Sequence, residues 1–206
     1  MTIKKFFAII ALYALFNCTD NKKSIPITNK NIIDTDSLQQ TEPKPIEAKS
    51  EVQTNLEQLK TEASRLSGGG SIKTIELENG KAVITKAVIT YVKSYKEYKD
   101  LNPQSSLTEN DLKSYWSTGN AIQKMLVSSP ARLMKKLDFI NEVKIILPFE
   151  NKVYQIDITK FELEKFVGKS ISEIENDWVK SFADPYIYDK KGREKFFKQF
   201  GTIKNN

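Results

Sequence analysis

Histidine is absent from this 206-residue chain, and cysteine occurs once, at Cys18. Without an imidazole, no Ser-His-Asp or Cys-His catalytic device can be assembled from it. The same two shortages exclude a structural zinc site of the Cys/His type, and a single thiol cannot form an intrachain disulfide. No cofactor is expected. Arginine is scarce too, limited to Arg65, Arg132 and Arg193. Phosphate recognition favours arginine's planar fork, so the net charge of +6 is weak evidence for a polyanion, and no nucleic-acid partner is expected. Glycine clusters once, at Gly68-Gly69-Gly70, so no G-x-G-x-x-G loop exists. The longest apolar run, Phe6 to Phe16, reaches about half of the ~20 residues that a bilayer-crossing helix needs.

What is present begins with that run. FFAIIALYALF follows Lys4 and Lys5, and its length matches the ~7–15 apolar residues of a secretion signal. Cys18 lies just beyond. Leu15-Phe16-Asn17-Cys18 resembles the lipobox of bacterial lipoproteins, with Leu15 in the family's aliphatic position and Phe16 and Asn17 where small residues are usual. The resemblance implies a signal peptide at 1–17, a diacylglycerol thioether on Cys18, and a mature chain held on a membrane by that lipid anchor. Thr19 stands where an aspartate would mark inner-membrane retention in one sorting scheme. The implied destination is therefore the outer membrane of a diderm cell, or otherwise the outer face of the cell membrane. Plain secretion is the alternative, but a cut after Ala14 would put Leu12 at the −3 position, where small residues are required.

Residues 18–49 carry Pro26, Pro43, Pro45 and many Asn, Thr, Ser and Lys, a composition expected to form a disordered tether. Residues 50–70 read as an amphipathic helix and a linker. Val52, Leu56, Leu59, Ala63 and Leu66 make one stripe, and Ser67 to Ser71 is expected to end it flexibly. Two heptads are too few for a coiled coil, so the helix is expected to dock on its own domain or fray, in a monomer.

Residues 71–206 are expected to form one globular domain of α+β class: helix-rich, with a small antiparallel sheet. Ser71 to Glu78 reads as a strand. The tandem repeat KAVIT-KAVIT at 81–90 is open to two readings. Its β-branched residues favour a partner strand, while Ile84, Val88, Tyr91, Tyr95 and Tyr98 form a stripe that favours a helix to about Lys99. The longer pattern is taken. Thr108 with Asp111 predicts a capping box and a helix through about Val127. Ser129-Pro130 predicts the start of another. Residues 143–147 and 153–158 read as a hairpin. Thr159 caps a helix that ends at Gly168. Ser170 or Ser172 opens one carrying Ile171, Ile174, Trp178 and Phe182, with Pro185 beyond its end. A last helix spans Lys190 to Phe200.

Three groups of residues are candidates for chemistry. Gly168-Lys169-Ser170 has the tail of a phosphate loop but Leu163 where its first glycine belongs, and reads as a helix end and the next cap. Glu162, Glu164, Glu173, Glu175 and Asp177 would permit a carboxylate-pair hydrolase acting on glycans, yet residues two apart on a helix face different ways. The C-terminal run interleaves aromatics with cations. Tyr186, Tyr188, Lys190, Lys191 and Arg193 are its candidate binding residues, against a reading in which Phe196, Phe197 and Phe200 simply face the core. The expected function is a non-enzymatic envelope lipoprotein that binds a protein or glycan. A glycan hydrolase and a periplasmic inhibitor or immunity protein are the alternatives.

Overall fold

The computed structural model describes residues 46–79 and 85–205. The signal peptide, Cys18 and nearly all of the expected tether lie outside the described residues. The fold is α+β. Five strands, β1 (Ile72–Asn79), β2 (Thr85–Tyr91), β3 (Glu142–Phe149), β4 (Lys152–Thr159) and β5 (Gly201–Asn205), form one sheet in sequence order. The sheet is mixed rather than antiparallel throughout, because β2 and β3 run parallel. Such a pair needs a long crossover. Here it contains α2 (Tyr95–Leu101), α3 (Glu109–Ser117) and α4 (Ala121–Lys136).

Residue pairing explains which face is covered. Ala87, Val143 and Ile158 line up across three strands, as do Ile89, Ile145 and Ile156, and all six are buried. With a side-chain period of two, the other face receives Lys86, Lys144 and Asp157. The central helix α4 packs against β3 and β4 and is buried from Met125 through Ala131. α1 (Ile46–Ser64) adds Leu59 and Ala63 to the same core, while Val52 stays exposed. The stripe read from sequence thus docks along its C-terminal half.

Local signals placed several helices. Thr108–Asp111, Thr159–Glu162 and Ser170–Glu173 are reciprocal capping boxes opening α3, α5 (Lys160–Val167) and α6 (Ile171–Asn176), and Gly168 ends α5 at φ 75°. α7 (Lys190–Phe200) and the β3–β4 hairpin also stand where they were expected.

Four expectations about helices fail. Residues 85–91 are a strand, not a helix. Thr85 to Tyr91 pair with β1 on one side, and Lys86 to Thr90 with β3 on the other, so two ladders override a stripe that spans two elements. Ser94, accepting from the Glu97 N–H, opens α2 afterwards. The helix from Thr108 stops at Ser117, because Gly119 (φ 58°) and Asn120 (φ 57°) adopt left-handed backbone. Pro130 lies inside α4 instead of opening a helix; packing on all sides sustains the helix despite the missing N–H. Pro185 is likewise internal. Residues 179–188 form a π-helix, closed by the Asp189 N–H on the Asp184 carbonyl at 2.9 Å.

The triglycine is pinned rather than loose. The Tyr91 hydroxyl donates to the Ser67 carbonyl at 3.0 Å and the Asn102 amide to the Gly70 carbonyl at 2.9 Å. Gly68 has φ 70°, and a Cβ there would lie 2.5 Å from the Trp116 ring. Only glycine meets both demands.

Candidate functional site

The two parallel strands end side by side, and a cleft of about 440 Å³ opens beyond them. Its walls come from three stretches far apart in sequence. Val92 to Tyr95 follow β2, Pro148 to Asn151 close the β3–β4 hairpin, and α3 presents Glu109, Leu112, Lys113 and Trp116. That i, i+3, i+4, i+7 spacing is one helical face. The hairpin closes in two residues between Phe149 and Lys152. Glu150 (φ 47°) and Asn151 (φ 60°) are both left-handed, the requirement of the tight turn that suits strand twist.

The inner part of the cleft is apolar and ordered. Trp116 meets Tyr91 edge-on at 5.6 Å and Tyr115 at 4.8 Å, and it rests on Gly68. Burial pushes the Tyr91 phenol far above its ordinary value, so that hydroxyl stays a neutral donor. The Tyr95 hydroxyl donates to the Leu107 carbonyl at 2.9 Å. The rim carries both charges. Lys113 and Glu109 pair at 2.8 Å. Glu97, just behind, receives the Lys73 ammonium at 2.7 Å and the Lys93 N–H at 2.9 Å. These bonds hold its carboxyl below the usual range. Exposed Leu101, Leu107 and Tyr115 lie on the same α2–α3 region. Such a site can seat a flat or apolar group against aromatic walls and orient its polar edge by rim charges.

The opposite end of the same strand pair is closed. Lys86 is paired in register with Glu142 and reaches Glu142 at 2.6 Å and Asp157 at 3.1 Å. Burial works against the Lys86 ammonium, but the hydrogen bonds to Glu142 and Asp157 outweigh it, so its pKa is raised.

The five candidates from the C-terminal run are not presented together. Tyr186 is half-buried among Phe166, Phe182 and Phe196 at 5.5–6.1 Å. Tyr188, Lys190 and Lys191 are exposed. Arg193 is only 3% exposed and donates to the Ile187 carbonyl at 2.7 Å, so it clamps the carboxyl end of the π-helix, where a cation is favoured.

Four of the five acidic candidates, all but Asp177, are likewise occupied by local structure. Glu162 and Glu173 complete caps, Glu164 accepts from the Ile171 N–H, and Glu175 pairs with Lys136 at 2.8 Å. Lys169 donates to the Ser181 hydroxyl at 2.8 Å, and Gly168 and Ser170 form a helix end and a cap, as read from sequence. Sequence reasoning missed the cleft because no single stretch holds it. The one local sign was the spacing of Leu112 and Trp116.

Among the described residues, no cluster of three or more Cys, Asp or Glu side chains is placed to hold a metal, and no helix is long and apolar enough to cross a membrane. No family model, curated protein or solved structure matches the chain.

Proposed function

We propose that this protein is a non-enzymatic envelope lipoprotein, anchored through Cys18, whose domain binds a protein or glycan partner in the cleft between α3 and the β3–β4 turn. The anchor rests on the basic, apolar and Leu15–Cys18 segments of the sequence. The binding reading rests on one observation: aromatic and apolar walls left open at the carboxyl ends of β2 and β3. In open parallel α/β sheets ligands bind outside the carboxyl ends of the strands, and the one parallel pair among the described strands has the cleft at that end. Of the acids that a hydrolase would need, Glu162, Glu164, Glu173 and Glu175 are engaged in caps, a backbone hydrogen bond and an ion pair instead.

Metabolic labelling with a fatty-acid analogue tests the anchor. The wild-type chain takes up label and Cys18→Ser does not; an unlabelled wild-type chain ends the lipoprotein reading. Photo-crosslinkers placed at Lys113 and at Lys191 test the cleft in intact envelopes. A discrete adduct from position 113 alone is expected, whereas equal yields from both positions would remove the cleft from the account.

A further inference from the structure

A second place in the molecule gathers cations beyond what the fold requires. Glu62 and Arg65 at the end of α1 and Arg132, Lys135 and Lys136 on α4 line one groove of about 270 Å³, four cations to one carboxylate. In a chain with three arginines, two of them meet here. Arg65 pairs with Glu62 at 2.5 Å and Lys136 with Glu175 at 2.8 Å. Arg132 and Lys135 differ. Among the described residues neither forms an ion pair, and both lie over the Trp178 ring, at 5.3 Å and 4.9 Å from its centroid.

Stacking on an aromatic face holds a guanidinium flat and leaves its in-plane N–H donors free. The carbonyl ends of α1 and α4 favour some positive charge nearby. Lys135 and Lys136, in the last turn of α4, answer to that cause, but Arg132 lies a full turn earlier. Burial, then Lys136 and Arg132, push the Lys135 ammonium below its ordinary value, with Glu175 opposing them. The crowded charges repel one another, and an anion between them would relieve that repulsion.

We propose that this groove binds a phosphate group, with Arg132 and Lys135 as its principal donors and Arg65 and Lys136 at its rim. Tetrahedral phosphate accepts several charge-assisted hydrogen bonds at once, which suits cations converging from two helices. A phospholipid headgroup and a soluble phosphate present the same chemistry. The site is independent of the cleft and does not rest on the function assigned to it.

The test uses the full chain carrying Cys18→Ser, so that no acyl group contributes. Inorganic phosphate is titrated at constant ionic strength and followed by NMR shifts and Trp178 fluorescence. Saturable shifts confined to Arg65, Arg132, Lys135, Lys136 and Trp178 are expected. Arg132→Gln and Lys135→Gln should each weaken binding about tenfold, the loss of one charged hydrogen bond. The double variant Lys190→Gln/Lys191→Gln, which also removes exposed charge, should leave binding unchanged. A parallel arm compares sedimentation with phosphatidylglycerol-containing and neutral phosphatidylcholine vesicles, scoring only the difference between wild type and Arg132→Gln. A difference confined to anionic vesicles identifies a lipid headgroup as the source, and binding of free phosphate without it identifies a soluble one. The proposal is overturned if neither arm shows a response that Arg132→Gln reduces. Equal losses in the Lys190/Lys191 variant also overturn it, since they would mean unspecific attraction.

Discussion

The two ends of the β2–β3 pair treat charge in opposite ways. At the end where the strands begin, Lys86, Glu142 and Asp157 answer one another, and Glu142 has no exposed surface. At the end where they finish, the charges stand on the rim of an open cleft while Trp116 and Phe149 line it. The same sheet therefore has one end committed to stability and one whose polar groups the fold does not need. Removing a charge from the first end takes an ion-pair partner away from a buried carboxylate. Removing one from the second returns a solvated site to water.

That contrast is breakable by mutation. The largest effect is expected for Lys86→Met. It removes the ammonium that pairs with the buried Glu142 carboxylate and with Asp157 and should cost about 3–5 kcal/mol in urea unfolding. A cost near zero would mean that the closed end contributes no stability. Next is Gly68→Ala, which combines left-handed strain with a clash against Trp116. About 2–3 kcal/mol and a shifted tryptophan emission are expected. The shift distinguishes disturbance of the cleft wall from plain loss of stability. Thr159→Ala, removing the cap of α5, should cost about 1 kcal/mol by the same measurement. The smallest stability change belongs to the rim: Lys93→Ala should leave the unfolding midpoint unchanged and yet reduce the crosslink from position 113.

Alkaline pH separates the ends in another way. Both Lys86 and Tyr91 have folded pKa values raised above their ordinary 10.5 and 10.0. In each case the folded state holds its proton more tightly than the unfolded chain. Their contribution is complete below about pH 10 and declines as pH rises through the folded values. Stability should therefore fall between roughly pH 10 and 12, where these ordinary values begin to titrate. In Lys86→Met that alkaline decline should be shallower.

Legibility in the sequence followed the range of the interaction. Caps such as Thr159–Glu162 and Ser170–Glu173 were readable because all partners lie within one turn. The hairpin at 142–159 was readable because its two strands are neighbours in sequence. Residues 85–91 were misread although their β-branched residues and the neighbouring β1 favoured a strand, because the stripe running on into α2 is longer, and the second ladder, to β3 from residue 142 onward, has no local sign. Pro130 misled for a related reason: it breaks an isolated helix, but the core around α4 holds this one together. In the C-terminal run, Arg193 resembled a surface cation until the π-helix carbonyls enclosed it. The cleft stayed hidden because its walls are contributed by 92–95, 109–116 and 148–151.

By itself the sequence determined the chemical inventory. It contains no imidazole and one thiol, it carries an α+β pattern, and it places its cap and turn residues. These follow from side-chain identity and contacts a few residues apart. Tertiary structure alone decided that KAVIT at 86–90 is a central strand, that the triglycine is locked under Trp116, and which charges are enclosed and which face an open cleft. The physical reason is that burial and pairing depend on neighbours brought together across the whole chain, and the same lysine or tryptophan has a different role in each setting.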